Sequence, residues 1–180
     1  MDRQPVLAGD RLLLRPAQAD DWAAVYAVAS DPELWAQHPA NDRWQESVFR
    51  AFFDAGLASG GMLVAEDRAT GAVIGSSRYD AFDPAEGGSV EIGWTFLSRG
   101  HWGGGWNGEM KRLMLAHAFR YVARVDFRIG ENNCRSRIAC ERIGGVLTDR
   151  FEVSQLAGGP VKHVIYAISR EAFAAGPLAV

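Results

Sequence analysis

The stretch Leu97-Ser98-Arg99-Gly100-His101-Trp102-Gly103-Gly104-Gly105-Trp106-Asn107-Gly108-Glu109 is the most chemically suggestive part of the chain. Glycine leaves no Cβ between the backbone and a ligand, so successive N–H groups can turn toward one point. A helix opening at Trp106 would add free amides and partial positive charge, a combination that favours a phosphate or diphosphate. The same residues suit a plain strand-to-helix connection equally well. They do not form a P-loop, since no Gly-Lys-Ser/Thr follows, and the glycine spacing does not give the G-x-G-x-x-G dinucleotide fingerprint.

Just upstream, Ser89–Leu97 alternates as a strand, with Val90, Ile92, Trp94 and Phe96 on one face and Glu91, Gly93, Thr95 and Leu97 on the other. Glu91 is the residue out of character. A carboxylate held among apolar neighbours has its pKa raised toward the range of a general base, whereas on a half-exposed strand it is a solvated charge. Downstream, Asn133 suits a helix N-cap, and the same side chain can also serve a ligand. Cys134, in the first turn of that helix, is either a thiol activated by the helix dipole or a buried or inert one. Cys134 and Cys140 are spaced C-x5-C, and His101 and His117 have no spaced partners, so no metal site is expected.

The elements that must position these residues follow from periodicity. Leu12-Leu13-Leu14, inside Arg11–Arg15, reads as a strand that stops at Pro16. Asp20 can cap a helix carrying Trp22, Val25, Tyr26 and Ala29, and Asp42 with Gln45 resembles a capping box for a second helix. That second helix carries Trp44, Val48, Phe49, Phe52, Phe53 and Leu57, and ends at Gly60-Gly61. Met62–Glu66 and Ala72–Tyr79 form an antiparallel hairpin, followed by the acidic loop Asp83–Gly88 and the Glu91 strand. A helix runs from Trp106 through Met110, Met114 and Ala118 to about residue 122. Val125–Gly130 is the next strand, Asn133–Ile143 a helix ended by Gly144-Gly145, and Val146–Val153 with Val161–Ser169 a last hairpin around Gly158-Gly159-Pro160. The order β, α, α, β, β, β, α, β, α, β, β predicts an α/β class: a mixed, mostly antiparallel sheet with helices on both faces and parallel pairing across the 106–122 helix.

Composition sets the limits. At 180 residues, 48% apolar and 23% charged, the chain reads as a single globular domain over 1–180. A formal charge of −3 gives no electrostatic case for nucleic acid or an anionic membrane as partner. No apolar run reaches the ~18 residues of a membrane span, and Met1-Asp2-Arg3-Gln4-Pro5 lacks a signal-peptide pattern, so a cytoplasmic protein with reduced thiols is expected.

The loop Trp102-Gly103-Gly104-Gly105-Trp106-Asn107 resembles the acyl-CoA loop of the GNAT superfamily of N-acetyltransferases, Gln/Arg-x-x-Gly-x-Gly/Ala. Trp102 replaces the basic or amide residue and Asn107 the second small one. Asn133-Cys134-Arg135-Ser136, followed by Glu141-Arg142-Ile143-Gly144-Gly145, is similar to the family's Asn-x-x-Ser and Glu-Lys-Leu-Gly-Phe, with the last aromatic missing. Adding Glu91-Ile92-Gly93-Trp94, Trp102-Gly103 and Val164–Ile168, and an element order that matches over nearly the whole chain, it resembles the ribosomal-protein-alanine acetyltransferase-like branch.

The resemblance implies acetyl-CoA as cosubstrate, in a V-shaped gap where the strands Ser89–Leu97 and Val125–Gly130 splay. Pantetheine would pair with backbone near Phe96 and Leu97, the diphosphate would rest on the amides of residues 102–107, and Asn133 would contact the coenzyme. Glu91 would accept a proton from an attacking amine, in a protein N-terminus or a small molecule, within a ternary complex of a monomer or homodimer. Many relatives protonate the thiolate with a Tyr seven residues after the motif Asn, a position held here by Cys140. Ser136 is then the expected donor, with Tyr166 in reserve. Arg99, Arg135 and Arg137 read as surface charges or ion pairs. Trp35, His38 and Trp44 form either an acceptor pocket or a clasp between helices, and Asp80, Asp83 and Glu86 either draw a cationic amine or are simply solvated. Two rival readings are a non-catalytic acyl-CoA-binding or sensing domain on the same scaffold and a nucleotide-binding α/β module.

Overall fold

A computed structural model describes residues 1–156 and 158–179. Eight strands form one sheet: β1 (Leu7–Ala8), β2 (Leu12–Pro16), β3 (Met62–Asp67), β4 (Val73–Asp83), β5 (Ser89–Leu97), β6 (Arg124–Gly130), β7 (Val146–Leu156) and β8 (Gly159–Ser169). Their spatial order is β1-β2-β3-β4-β5-β6-β8-β7, antiparallel at every junction except β5 with β6. The helices are α1 (Trp22–Ala29), α2 (Pro32–Trp35), α3 (Glu46–Ala58), α4 (Trp106–Ala118), α5 (Cys134–Arg142) and α6 (Arg170–Ala174). This is the mixed, mostly antiparallel α/β sheet that the order of elements predicts.

Strand alternation divides the core between the two faces. Leu63 and Ala65 pack with Leu12, Leu14, Val90, Ile92, Met110, Met114 and Leu115 under α4. Met62 and Val64, one residue out of phase, pack with Val25, Ala29, Trp35, Phe49, Phe53 and Phe96 under α1 to α3.

Several boundaries differ from expectation. A 3-10 turn over Ala19–Asp21 precedes α1, so Asp20 is not its cap. Trp44 lies ahead of α3, whose N-cap is Gln45 with no side-chain cap bond, so the Asp42 capping box is absent. Two short helices, α2 and α6, carried too few residues to leave a periodic trace.

The largest correction lies inside β5. Its register against β4 runs Ser76↔Phe96 and then Arg78↔Gly93, so three steps on β5 face two on β4. The extra residue is absorbed at Trp94, whose φ is +52°, a left-handed conformation that costs a residue with a Cβ roughly 1 kcal/mol or more. The bulge reverses the facing of everything beyond it. Val90, Ile92 and Leu97 share the α4 side while Phe96 joins the aromatic cluster on the other, contrary to simple alternation.

The start of α4 is tied to the sheet by Glu109. Its buried carboxylate accepts the N–H groups of Arg11 at 2.9 Å and Leu12 at 3.5 Å, and the Arg11 guanidinium at 3.0 Å. Burial opposes its charge, but these donors win and hold its pKa below the usual value. Glu109→Ala removes the acceptor of two backbone donors and a guanidinium, an expected loss of about 3 kcal/mol. Thermal unfolding followed by circular dichroism should show the midpoint falling by about 10 °C; a fall of under about 2 °C would refute this anchoring.

Candidate active site

The parallel pair is short. Ser89↔Arg124, Val90↔Val125 and Glu91↔Asp126 are its only rungs, after which β5 keeps β4, β6 keeps β8, and the two part. Beyond the last rung the facing edges present backbone N–H and C=O groups that need partners, and a ligand carrying amides can supply them. The splay expected of Ser89–Leu97 and Val125–Gly130 is therefore present, and Glu91 sits at its apex.

At the open end of β5 the chain makes a 3-10 turn, Arg99–His101, and enters α4 through three consecutive left-handed glycines: Gly103 at φ +72°, Gly104 at +52° and Gly105 at +84°. Side chains disfavour this backbone, and a Cβ at Gly103 would meet open space, so the loop is accessible. The amides of residues 103–108 make no backbone hydrogen bond among the described residues. The amide of Trp102, by contrast, donates to Arg99 at 3.1 Å, and its indole Nε1 donates to the carbonyl of Leu97 at 2.8 Å. The run of free donors therefore covers 103–108 rather than 102–107, taking in Trp106, Asn107 and Gly108. Trp102 braces the loop with its ring, beneath the Arg135 guanidinium at 4.2 Å. Arg11 completes the loop's frame, donating to the carbonyl of Gly104 at 2.7 Å and lying over Trp106 at 4.8 Å.

Glu91 is largely buried, with 14% of its side chain exposed, and Gly93 leaves room for its carboxyl: a Cβ there would stand 3.1 Å from Oε1. Desolvation raises its pKa above the ordinary carboxylate value, and the Arg128 guanidinium 3.4 Å away only partly offsets this. Arg128 also reaches Glu152 at 2.9 Å. Trp94, re-aimed by the bulge, lies under Arg78 at 3.5 Å and near Arg128 at 5.5 Å. A carboxyl with raised proton affinity, at the apex of an open wedge, is suited to taking a proton from a nucleophile placed there.

Asn133 is the N-cap of α5, its Oδ1 accepting the amide of Ser136 at 3.3 Å. The Ser136 hydroxyl has no hydrogen bond among the described residues. Cys134 is exposed, contrary to the buried alternative, and Cys140 is buried, its thiol pushed up to about 12 by burial. Tyr166 is engaged by Glu141 at 2.7 Å and Arg137 at 3.0 Å.

Sequence reasoning missed Lys111. On α4, with 6% of its surface exposed, it donates to Thr95 of β5 at 2.6 Å and Ser77 of β4 at 3.3 Å, while its ammonium stands 5.8 Å from the Phe127 ring of β6. It thus spans the two parting strands on the α4 side. Burial, with no carboxylate partner among the described residues, lowers its pKa to about 7. The signal was its spacing: Lys111 shares a helical stripe with the buried Leu115 and Ala118.

The remaining expectations resolve by contact. Arg99 is paired with Asp31 at 2.5 Å, Arg137 is held by Tyr166 and the carbonyl of Glu131, and Asp80 is tied to Arg78 at 2.8 Å, so none is a free charge. Trp35 is buried against Phe49, Phe52 and Phe96, closer to the clasp than to a pocket, and Trp44 is exposed. His38 meets the Trp35 ring edge-on at 5.6 Å, and its neighbour Pro39 packs on Gly130 so closely that a Cβ there would sit 2.4 Å from the proline ring.

Residues 11–146 match the family model described as an acetyltransferase (GNAT) domain. Among solved structures, a GCN5-related N-acetyltransferase from Brucella melitensis superposes with a TM-score of 0.78 at 20% identity, over 94% of this chain and 80% of that one. RimL, a ribosomal L7/L12 α-N-protein acetyltransferase with coenzyme A bound as a disulfide to one of its cysteines, superposes at 0.72 with 16% identity over 93% and 99%. RimJ from Mycobacterium smegmatis, in complex with a CoA-disulfide, gives 0.67 and 20% over 92% and 85%. At these identities the likenesses are of fold. Among the described residues, no helix is long and apolar enough to cross a membrane.

Proposed function

Because the chain belongs to the GNAT acetyltransferase family, we propose that it moves acetyl from acetyl-CoA to a primary amine by direct attack within a ternary complex. The observation that carries this reading is the parting of β5 and β6 immediately after the Glu91↔Asp126 rung, which leaves two strand edges open beside a buried carboxyl.

In this reading the pantetheine amides pair with the edge of β5 through Phe96 and Leu97, and the diphosphate rests on the amides of Gly103, Gly104, Gly105, Trp106, Asn107 and Gly108. Trp102 shapes that loop, and Asn133 fixes the turn of α5 nearest the coenzyme. Glu91, directly or through one water, takes a proton from the amine as nitrogen adds to the thioester carbon. The C–N bond forms, the C–S bond breaks, and the thiolate must then regain a proton.

Ser136 is the donor implied by the family-like motif. A second reading is favoured by the position of Lys111, whose ammonium is held at the β5 side of the wedge by Thr95 and Ser77, faces the Phe127 ring of β6 and lies near Cys140, the position of the missing Tyr. Lys111 gives its proton to sulfur and is recharged from solvent in the next cycle. A purely acyl-CoA-sensing domain would need no such donor.

Titration calorimetry with acetyl-CoA, CoA and ATP, followed by thiol release across an amine panel, tests the proposal. Coenzyme binding with amine-dependent thiol release is expected. Binding without release favours the sensing domain, and ATP binding alone the nucleotide module. Gly104→Val forces a β-branched residue into left-handed backbone at the mouth of the loop, a strain of about 1–2 kcal/mol. Its acetyl-CoA Kd should rise about tenfold or more while the melting temperature falls by about 3–6 °C, and an unchanged Kd would remove the loop from the coenzyme site.

A further inference from the structure

The acceptor side of the wedge contains more hydrogen-bond donors than the fold uses. The His38 Nδ1 accepts the amide of Ala40 at 2.9 Å, so in the neutral ring the hydrogen is on Nε2. That Nε2 faces Nη1 of Arg43 at 3.2 Å. Two donors so placed cannot satisfy each other; they need a shared acceptor. Burial lowers the pKa of His38 to about 3, so the ring remains neutral at neutral pH.

Arg43 has no carboxylate partner among the described residues. It rests on the rings of Phe52 at 4.7 Å and Trp35 at 5.5 Å. The other cations near Glu91 are paired, Arg78 with Asp80 and Arg128 with Glu91 and Glu152. Even so, the buried Nε of Arg78 has no hydrogen-bond partner among the described residues. Arg78 is itself only 9% exposed. His163 sits opposite both Gly130 of β6 and Glu152 of β7, with Arg43, Arg128 and His38 nearby. Pro39, packed on Gly130, brings the His38–Arg43 segment to the same place.

We infer that the unused donors of Arg43 and His38, with His163 beside them, form a subsite for an anionic oxygen group carried by the acceptor, whose amine lies at Glu91. Gly130 is four residues beyond Asp126 along β6, about 13 Å at the rise of a strand. The amine and the anion are therefore separated by more than the two bonds of an α-amino acid. With the side chains at each end closing part of that span, an ω-amino acid of about six carbons fits, and so does a peptide N-terminus followed by an acidic side chain. This inference rests on the acetyl-transfer reading for the position of the amine only.

The test compares matched pairs that differ in one charge: 6-aminohexanoate with its carboxamide, and the peptide amides Ser-Glu-Ala-Ala and Ser-Gln-Ala-Ala. The two arms separate a small-molecule from a peptide source. In thiol release, the anionic member of at least one pair should have a kcat/KM about 30-fold or more higher. Arg43→Met should bring that ratio to within about threefold, and Arg43→Lys should retain part of it, with circular dichroism reporting the fold of each. Equal or reversed preference in the parent protein overturns the subsite. A second readout needs no turnover. Quenching of tryptophan fluorescence by 6-acetamidohexanoate should occur at about 30-fold lower concentration than with its amide, and equal affinities would overturn the subsite. If no amine releases thiol but this binding difference persists, the acetyl-transfer reading fails and the anion subsite stands.

Discussion

Glu91→Gln is expected to lower kcat by about 10²–10⁴, the range for loss of a general base, while the acetyl-CoA Kd stays within about twofold. Gln fills the same space over Gly93 and keeps a hydrogen-bond acceptor for Arg128, so the wedge should survive. The pH profile gives the sharper reading. With its proton affinity raised by burial, Glu91 is protonated and unable to accept at a pH where ordinary carboxylates are ionised. The acidic limb of kcat/KM should thus stand above the usual carboxylate range and vanish in the variant. The stability sign is the opposite. A group that holds its proton more tightly when folded stabilises the fold at low pH, and that contribution is lost as pH rises through its folded pKa. Glu91→Gln should therefore be no less stable than the parent at pH 7. Near-parental turnover would remove Glu91 from the chemistry.

Lys111→Met should lower kcat by about 10² and abolish a basic limb near pH 7. The direction follows from burial: with the pKa lowered to about 7, the ammonium donor is present below that pH and lost above it. Methionine keeps the length of the side chain and removes a buried charge, so the melting temperature at pH 6 should not fall. That separates a proton donor from a packing residue. Ser136→Ala is the companion measurement. If it lowers turnover and Lys111→Met does not, the thiolate is protonated by the serine and the lysine is structural.

The sheet was legible because its strands are punctuated. The Asp67–Gly71 turn, the glycine loop before Trp106 and Gly144-Gly145 each mark where a periodicity ends, and the hairpins follow from them. The bulge was hidden because Trp94 suits either face of a strand, and one inserted residue leaves the alternation looking regular while inverting everything beyond it. The carboxyl at the wedge could be found because a lone Glu stands out in an apolar strand. Lys111 could not be found by the same rule, since a lysine on a helix is ordinarily solvated and only its stripe with Leu115 and Ala118 betrays its burial. His38 and Arg43 lie in an irregular segment with no period to read, and Pro39 meeting Gly130 is a contact between residues far apart in the chain. Trp102 shows the limit of motif reading. It occupies a loop position by pattern, yet its amide is consumed in a 3-10 turn and its ring does the bracing.

The most direct measurement is a crystal structure of the protein with coenzyme A. The account predicts pantetheine between residues 92–97 of β5 and 127–130 of β6, the diphosphate on the amides of residues 103–108, and the sulfur between Lys111 Nζ and the Glu91 side of the apex. A coenzyme bound elsewhere, or β5 and β6 zipped together past Asp126, would contradict it.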